Sequence, residues 1–230
     1  MKNITLAFDV YGTLIDTSGV KDEIKKIVGE KALEFTDLWR TKQLEYSFRR
    51  GLMQNYKNFS YCIKESLDFT DEYLDTNLSG EQKSYLLSLY LKLPVFKDTI
   101  DGLKGAKEKG FRIFAFSNGT NEALESLLTN AGIKEYFLDI ISVDDIKSFK
   151  PNPAVYSYFL RKSCSRHNNA WLISSNPFDV CGAISAGLNS CWVKRFKNNI
   201  FDHWEIKPDL TVESLKNLAD EIISFYSELI

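Results

Sequence analysis

The sequence predicts an α/β protein with a Rossmann-like, doubly wound parallel sheet and an inserted helical subdomain. Two observations support this fold class. Short apolar runs of strand length alternate with helix-like patterns along most of the 230 residues, which is typical of parallel strands joined by helical crossovers. One early stretch breaks the alternation, because it contains helix patterns and little else.

The predicted strands are five runs rich in Ile, Val, Phe and Trp. They are ITLAFDV at 4–10, FRIFAFS at 111–117, FLDIISV at 137–143, AWLISS at 170–175 and SCWVKRF at 190–196. The helix patterns between them carry end signals. Gly132 and Gly187 each follow a helical stretch, and Asn152 with Pro153 gives an N-cap and a first helical residue.

Residues 16–94 are predicted to form the inserted helical subdomain. The helical patterns are VKDEIKKIVG at 20–29, FTDLWRTKQLEYSFRRGLM at 35–53, NFSYCIKESLDF at 58–69 and EQKSYLLSLYLKL at 81–93. In the first of them, Val20, Ile24 and Ile27 are spaced for one helical face. The α/β core is then discontinuous and comprises residues 1–15 and 95–230.

Composition excludes several function classes. The chain has 29 basic and 31 acidic residues, a net charge of -2, so no basic surplus favours nucleic acid or an anionic lipid surface. No apolar run approaches the length of a membrane span. The four cysteines show no metal-binding spacing, so we expect buried reduced thiols and a cytoplasmic protein. Both histidines, His167 and His203, are expected at the surface.

Polar side chains follow four of the predicted strands, where a ligand site forms in an open parallel sheet. Asp9 follows the first strand, and the Gly12 turn beside it lets backbone amides approach a ligand. A carboxylate in this position can act as a nucleophile. An aspartate that caps the next turn is an equally good interpretation of this stretch alone.

The second and third strands end in an anion-binding pattern and a lysine. Ser117 and Asn118 precede a helix, which suits either an anion cradle or an ordinary N-cap. Lys150 precedes Pro151, which disfavours helical geometry and lets the lysine point back at the sheet edge. A cation there would favour the charged form of Asp9. A solvated loop lysine is the alternative.

The fourth strand ends in SSNPFD at 174–179, with two hydroxyls, an amide and a second carboxylate. Asp179 could deprotonate or orient a water molecule. It could equally be an acid in the first turn of a helix, where the helix dipole favours negative charge. Each pattern is weak alone, but their joint order along successive strand ends indicates one site.

That order resembles the haloacid dehalogenase superfamily, whose members carry an aspartate nucleophile, a Ser/Thr motif, a lysine motif and an acidic motif. The resemblance covers nearly the whole chain, and the helical insertion is similar to the cap of that superfamily. Most members are magnesium-dependent phosphatases with a second aspartate two positions after the nucleophile and paired acids in the last motif. This chain has Tyr11 and Ser175 at those places, which removes carboxylates that magnesium prefers.

The departures resemble the L-2-haloacid dehalogenases of type II, whose motifs read D-x-Y-G-T and S-S-N-x-x-D. The stretches LWRTKQLEYSFRRGLM, SNGT, FKPNPAVY and NSCWVKR resemble the same branch. The resemblance implies hydrolysis of L-2-haloalkanoic acids to D-2-hydroxy acids through an aspartyl ester. A halide leaves as a stable anion, so the chemistry needs no second acid. No metal and no cofactor are implied.

The resemblance also assigns roles for ester formation. Asp9 would attack C2 of the substrate, Thr13 would support the nucleophile loop, and Lys150 would hold Asp9 charged and help bind the substrate carboxylate. Ser117 and Asn118 would bind that carboxylate. Arg40 in the cap would receive the halide, because its helical spacing puts it near the face of Leu44 and Phe48. A solvated helix arginine is the alternative.

For ester hydrolysis, Asp179 and Asn176 would place or activate water, while Ser174 and Tyr156 would organise Lys150 and Asp179. The sequence leaves open whether Asp179 or Lys150 takes the proton.

The apolar pocket implied by the branch comprises Tyr11, Leu44, Phe59 and Phe178. The branch commonly has Trp at the position of Phe178 and Gln at that of Thr41, and these two changes bear on substrate size preference more than on the chemistry. The partners implied are a small 2-haloacid, a halide ion and a second copy in a homodimer. Two rival functions remain: a magnesium-dependent phosphatase of the same superfamily and a non-catalytic binding protein on the same fold.

Overall fold

The computed structural model describes residues 4–227, so the first and last three residues assigned to the core lie outside the described residues. Its sheet has six strands in the order β3-β2-β1-β4-β5-β6, all paired in parallel. The strands are β1 (Thr5–Phe8), β2 (Arg112–Ser117), β3 (Asp139–Ser142), β4 (Ala170–Ser174), β5 (Asn189–Val193) and β6 (Leu210–Val212). The five predicted strands are confirmed, and β6 adds a short edge strand that was not predicted.

The first strand lies in the middle of the sheet. Leu6 pairs in register with Ile113 of β2 and with Trp171 of β4. Strand order runs outward in both directions from β1, and a crevice opens where the direction of winding reverses. The segments after β1, β2 and β4 therefore meet at one edge, which is where the polar patterns of the sequence lie.

Four helices follow β1 and form the predicted cap. They are α1 (Lys21–Val28), α2 (Ala32–Leu52), α3 (Phe59–Tyr73) and α4 (Gly80–Leu89). Asn58 caps α3 through the Tyr61 amide, and Ser79 forms a capping box with Gln82 at the start of α4.

Five further helices cover the sheet. They are α5 (Thr99–Glu108), α6 (Asn121–Asn130), α7 (Pro153–Lys162), α8 (Pro177–Ser185) and α9 (Leu218–Ser227). The predicted N-cap of helix α7 is confirmed, because the Asn152 side chain accepts a hydrogen bond from the Ala154 amide and Pro153 is the first helical residue. Gly187 adopts a φ of 85° just beyond α8, a conformation that favours glycine.

The core packs on both faces of the sheet. Alternate strand residues such as Phe114 and Phe116 of β2 face α7, where Phe159 packs against both rings. The opposite face carries Ile113 and Ala115 and joins a larger apolar cluster that continues into the cap. That continuity anchors the cap on the sheet.

The chain leaves and re-enters the core at adjacent points. Ile15 forms an antiparallel bridge with Val95, and the Asp16 amide donates to the Pro94 carbonyl at 2.8 Å. These contacts hold the two connecting segments side by side. The boundaries at 15/16 and 94/95 stay a prediction for the domain division.

The expectation about the cysteines is wrong for one of them, and the expectation about the histidines is confirmed. Cys164 is exposed, which contradicts the expectation of four buried thiols, because it follows α7 in a surface turn with a φ of 50°. Both histidines are exposed, as predicted.

In the part of the chain that the structure describes, no helix is long and apolar enough to cross a bilayer.

Candidate active site

The first strand delivers Asp9 to the sheet edge and fixes it there. The Asp9 amide donates to the Ile173 carbonyl of β4 at 3.0 Å, and the residue is 6% exposed. The chain then turns at Gly12, which has a φ of 84°. This turn brings the Thr13 hydroxyl back to donate to Asp9 Oδ2 at 2.7 Å.

Three donors hold the Asp9 carboxylate in one orientation. Oδ2 accepts from Thr13 and from Asn176 Nδ2, the latter at 2.8 Å, while Oδ1 accepts from Lys150 Nζ at 3.2 Å. Oδ1 therefore has one contact, and a longer one, among the described residues. Asn176 also donates to the Tyr11 carbonyl at 3.2 Å, which ties the segment after β4 to the turn after β1.

Lys150 is the centre of a buried cluster. Its side chain is 1% exposed, and its ammonium group donates to Asp9 Oδ1, to Asp179 Oδ2 at 2.7 Å and to the Phe116 carbonyl at 2.8 Å. All three ammonium protons are thus used. Asn118 Oδ1 accepts from the Lys150 amide at 2.9 Å and fixes the backbone before the cis peptide bond to Pro151. The predicted orientation of Lys150 toward the sheet edge is confirmed.

Asp179 is fully buried behind the lysine. Tyr156 Oη donates to Asp179 Oδ1 at 2.8 Å, so each carboxylate oxygen has a partner. Burial raises the pKa of the Asp179 carboxyl above its ordinary value; the Lys150 ammonium opposes this rise and the Asp9 carboxylate adds to it. The result is a carboxylate that accepts a proton more readily than an exposed aspartate.

Gly182 in α8 leaves space for Tyr156. A Cβ atom on Gly182 would lie 2.5 Å from Tyr156 Oη and 2.6 Å from Pro151 Cβ, which no real contact allows. The position was not predicted as part of the site, because a glycine inside a helix gives no signal of what packs on it.

We expect Gly182→Ala to displace Tyr156 and to destabilise the protein by about 1–3 kcal/mol, the usual cost of overpacking. Gly105→Ala is the matched control. It is also a helical glycine, its Cβ would lie 3.9 Å from its nearest neighbour, and the change should stabilise by about 0.5–1 kcal/mol. Urea unfolding and initial rates measure both variants. Equal stability and activity of the two would contradict this packing.

The two serines at the end of β4 support the turn that follows it. Ser174 Oγ accepts from the Asn176 amide at 3.1 Å, so it supports Asn176 and makes no hydrogen bond to Lys150 or Asp179. Ser175 donates its amide to Thr13 Oγ1 at 2.9 Å and its hydroxyl to the Gly12 carbonyl at 2.6 Å. Ser175 was not predicted as a site residue; its place beside Asn176 was the available signal.

The end of β2 supplies donors beside the cluster. Ser117 Oγ accepts from the Gly119 amide at 3.3 Å, and Asn118 is bonded to Lys150 through its side-chain oxygen. Neither the Ser117 hydroxyl proton nor the Asn118 side-chain NH₂ has an acceptor among residues 4–227. Both groups are therefore free to donate to an anionic ligand.

The cap contributes aromatic and basic groups. Phe59 lies against the Tyr11 ring, with a centroid distance of 5.9 Å, and Phe178 meets Phe48 of α2 at 5.0 Å. Arg40 is half-buried, and its Nη1 donates to Gln43 Oε1 at 3.3 Å. Leu44 is half-buried one turn further along α2. Neither Arg40 nor Leu44 makes a hydrogen bond or ion pair with Asp9.

An apolar cavity of about 530 Å³ opens beside Lys150, between the end of α2 and the start of α8. Phe48, Phe149 and Phe178 line it together with Leu52. Its walls are mainly hydrocarbon, so it suits an aliphatic chain and not a second charged group.

Arg195 supports the loop that follows β1 and was not predicted. Its Nε and Nη2 donate to the Thr13 carbonyl, at 2.9 Å and 2.5 Å, and its Nη1 donates to both Asp98 oxygens at 2.7 and 2.9 Å. Asp98 also accepts from the Leu215 amide at 2.7 Å. The loop is thereby tied to the segment that re-enters the core after the cap.

No group of three or more His, Cys, Asp or Glu side chains within residues 4–227 is arranged to hold a metal ion. The last-motif position beside Asn176 carries Ser175, whose hydroxyl is engaged with Gly12. The position two residues after Asp9 carries Tyr11.

Sheet order, the carboxylate after the central strand and the buried lysine define a hydrolase with a doubly wound α/β core and a helical cap. The chain belongs to the haloacid dehalogenase-like hydrolase family, whose model matches residues 5–187, and within it to the L-2-haloacid dehalogenase branch. An (S)-2-haloacid dehalogenase of Pseudomonas fluorescens is 34% identical over 225 residues, covering 97% of this chain and 99% of the relative.

Solved structures agree with this assignment. The L-2-haloacid dehalogenase of Xanthobacter autotrophicus superposes with a TM-score of 0.89 at 27% identity, covering 96% of this chain and 98% of that one. The same enzyme with chloropropionic acid covalently bound gives a TM-score of 0.89 at 26% identity and the same coverage. That relative therefore forms a covalent adduct within a fold that this chain shares.

Proposed function

We propose that this protein hydrolyses L-2-haloalkanoic acids to D-2-hydroxy acids and halide through an ester on Asp9, without a metal ion. The observation that carries the proposal is the buried Lys150, bonded at once to Asp9 and Asp179. One lysine holding two carboxylates of different environment provides a fixed nucleophile and a separate base. The relatives described above are an (S)-2-haloacid dehalogenase and an L-2-haloacid dehalogenase, which supports the same substrate class for this chain.

The first step is an in-line displacement at C2 of the substrate. An Asp9 oxygen forms the new C–O bond while the carbon–halogen bond breaks, and the halide leaves with the electron pair. Oδ1 is the better placed oxygen for attack, since Oδ2 already accepts two hydrogen bonds of 2.7 and 2.8 Å. Attack from the face opposite the halide inverts the configuration at C2.

Hydrogen-bond donors at the edge of the sheet orient the substrate. The Ser117 hydroxyl and the Asn118 NH₂ are available to the substrate carboxylate, and Lys150 adds positive charge nearby. Arg40 on α2 receives the halide from the cap side. Tyr11, Leu44, Phe59 and Phe178 surround the alkyl group. Phe178 also lines the apolar cavity beside Lys150.

The second step is hydrolysis of the ester at the Asp9 carbonyl. Asn176 orients the carbonyl and Asp179 accepts the proton of the attacking water, which its buried setting favours. The proton then returns to the departing hydroxy-acid oxygen through Asp179 or Lys150. Tyr156 keeps Asp179 in place, and Ser174 keeps Asn176 in place.

A halide leaving group explains why this site has no second aspartate. A phosphatase must protonate an alkoxide, whereas a halide departs as a stable anion. Tyr11 replaces that acid, and Ser175 replaces a carboxylate of the last motif, so the oxygen ligands that magnesium prefers are missing at both positions. This argues against the phosphatase alternative.

The test is release of chloride from L- and D-2-chloropropionate, with and without EDTA, with the chirality of the product determined. We expect turnover of the L form alone, a D-2-hydroxy product and no effect of the chelator. A generic phosphate ester with Mg²⁺ should give no turnover. Loss of dehalogenation in EDTA, or turnover of phosphate esters alone, would overturn the proposal. Inactivity toward all haloacids and phosphates would favour a non-catalytic protein.

The raised pKa of Asp179 predicts the pH dependence of kcat. Asp179 must be ionised to accept a proton, and its pKa lies above the ordinary 3.8, so activity is lost as pH falls through a midpoint above 3.8.

We expect Asp179→Asn to slow hydrolysis more than displacement, so that the ester on Asp9 accumulates. Rapid-quench mass spectrometry of the intact protein measures the ester. Absence of the adduct in this variant, with normal turnover, would contradict the assigned role.

The proposal includes a cytoplasmic homodimer. Support for the compartment comes from the cysteines, since all four are free thiols and three of them are buried. The homodimer rests on the family resemblance. Light scattering of the purified protein tests the oligomeric state.

A further inference from the structure

The guanidinium group of Arg195 is buried between the turn after β1 (residues 9–15) and the segment that returns from the cap. Its side chain is 4% exposed, and the ring of Phe96 lies against it, with Cζ 4.3 Å from the ring centroid. Nε and Nη2 both donate to the Thr13 carbonyl, while Nη1 donates to both oxygens of Asp98. A planar guanidinium that forks onto one carbonyl fixes its position more rigidly than a single donor does.

The Thr13 carbonyl has no other donor among the described residues. Its neighbour, the Leu14 carbonyl, accepts from the Phe96 amide and from the Thr99 hydroxyl, each at 3.0 Å. Phe96 and Thr99 both lie in the segment that returns from the cap. Two successive carbonyls of the turn are therefore held from this side, and Arg195 supplies all of the support at Thr13.

The position of Thr13 decides which group its hydroxyl serves. The hydroxyl has two acceptors in reach, Asp9 Oδ2 at 2.7 Å and Ser175 Oγ at 3.3 Å. A hydroxyl carries one proton, so it donates to one of them at a time. A shift of the Thr13 backbone would change the two distances. The contact on the far side of the turn thus controls a hydrogen bond to the reactive carboxylate.

Asp98 anchors Arg195 on the core. Its carboxylate accepts from the Leu215 amide at 2.7 Å and from the Ser214 hydroxyl at 3.0 Å, both in the segment after β6. Burial acts to raise the pKa of Asp98, but the Leu215 amide and the Arg195 guanidinium outweigh it and leave that pKa below its ordinary value. The ion pair therefore persists at neutral pH and holds the guanidinium in place.

We propose that Arg195 is a positioning residue of the reaction, because it places Thr13 so that the Thr13 hydroxyl donates to Asp9. This inference rests on the proposed function and deepens it, since it traces the orientation of the nucleophile to a contact behind the turn. Without the guanidinium fork, the Thr13 proton is free to move to Ser175. Oδ2 of Asp9 then keeps one of its two donors, and the carboxylate turns away from the line of attack at C2.

Arg195→Lys is the informative variant, because lysine keeps the charge opposite Asp98 but lacks the fork. We expect kcat for L-2-chloropropionate to fall about 10- to 100-fold, since a misplacement of about 1 Å costs up to about 10²-fold. KM should stay close to wild type, because the groups that bind the substrate carboxylate are unchanged. Displacement is the step that slows, so rapid-quench mass spectrometry should show no accumulated ester on Asp9.

Arg112→Lys is the matched control. Arg112 is half-buried at the start of β2, the opposite end of that strand from the site, and it also binds a carbonyl, that of Ser163 at 2.6 Å. Its Nη1 donates to the Thr5 and Ser165 hydroxyls at 3.2 and 3.3 Å. We expect it to lose stability but to keep kcat per folded molecule, with the folded fraction taken from urea unfolding. Equal losses of kcat per folded molecule in the two lysine variants would mean that Arg195 has a structural role only, and would overturn the inference.

A Thr13→Val background tests whether Arg195 acts through the Thr13 hydroxyl. Valine has the shape of threonine but no proton to place. Halide release at high protein concentration over long incubations measures displacement even where turnover is slow. In this background we expect Arg195→Lys to cost a further factor of about 2 or less, because the interaction through which it acts is already gone. Losses that multiply would show independent action and would contradict the proposed route.

Hydrogen–deuterium exchange of the turn separates failure of this inference from failure of the proposed function. The Leu14 and Ile15 amides both donate to the Val10 carbonyl at 3.0 Å, so their exchange reports how firmly the turn is held. Exchange of the peptide that spans the turn should be faster in Arg195→Lys than in wild type, and unchanged in Arg112→Lys. If wild type releases halide and Arg195→Lys keeps its kcat per folded molecule, the inference is wrong, whatever the exchange. If wild type releases no halide, the proposed function fails; faster exchange in Arg195→Lys then still supports Arg195 as the residue that holds this turn, and unchanged exchange removes that role as well.

Discussion

Replacement of Asp9 by asparagine is expected to abolish turnover of L-2-chloropropionate, by about 10⁴-fold or more, while the protein remains folded. The amide oxygen is a poor nucleophile and cannot carry the negative charge that attacks C2. The shape is retained, because the asparagine oxygen can still accept from Thr13 and Asn176 at the position of Oδ2. We expect the free energy of unfolding to fall by about 1–3 kcal/mol. The new NH₂ group faces the Lys150 ammonium group, which loses one of its charged partners.

Asp37→Asn is the matched control, because Asp37 is an exposed aspartate of α2. It should show wild-type rates and stability. A multiple-turnover reaction in ¹⁸O-labelled water adds a second readout: solvent oxygen should enter the Asp9 carboxylate of wild type, since hydrolysis occurs at the ester carbonyl. An Asp9→Asn protein that retains wild-type rates, or a wild type whose Asp9 never takes up label, would end the nucleophile assignment.

The cluster of Asp9, Lys150 and Asp179 was predictable because it follows from the geometry of a parallel sheet. Asp9, Lys150 and Asp179 are far apart in sequence, but each follows the carboxyl end of a strand, and those ends share one edge. Strand-end position and residue type were therefore sufficient to bring them together. The family motifs then gave them roles, which composition and spacing alone left open.

The supporting contacts were not predictable, because they depend on how distant side chains meet. Arg195 binds Asp98 across 97 residues of sequence, and Gln43 bonds to Tyr90 across 47. Each residue alone reads as an ordinary charged or polar side chain. The strand β6 was missed for a different reason: Leu210–Val212 has only three residues, which is too short for a periodic pattern.

The position of a residue on a helix also predicts its side-chain contacts less well than a position at a strand end does. The spacing of Arg40, Leu44 and Phe48 placed them near one face of α2, and Phe48 does contact Phe178 at 5.0 Å. Yet the hydrogen bond of Arg40 is to Gln43, three residues away on its own helix. A long arginine side chain can choose among several partners, so the helix face alone does not determine its contact.

Lys150→Met should have the second large effect, on activity and stability together. The lysine is the buried cation between Asp9 and Asp179, with Nζ to oxygen distances of 3.2 and 2.7 Å. Its loss leaves two buried carboxylates facing each other without a counter-charge. Breaking one partner of such a cluster costs about 3–5 kcal/mol, and we expect no measurable dehalogenation at neutral pH.

The destabilisation by Lys150→Met should depend on pH in a defined direction. In the wild type, Lys150 opposes the rise in the pKa of Asp179 that burial causes, so without it that pKa rises further. A carboxyl whose pKa is higher in the folded than in the unfolded protein favours folding at low pH and loses that contribution as pH rises. The loss of stability relative to wild type should therefore be small near pH 4, about the pKa of an unfolded aspartate, and largest at neutral pH.

Lys147→Met separates this effect from the loss of any positive charge in the same loop. Lys147 is exposed and pairs with Asp144 at the surface at 3.1 Å, so its removal should cost no more than about 1 kcal/mol at any pH. Urea unfolding of wild type and both variants at several pH values measures the difference. A Lys150→Met protein whose stability loss is constant with pH would mean that the two carboxylates are not held by this ammonium group, because only an uncompensated carboxylate couples the loss to proton binding.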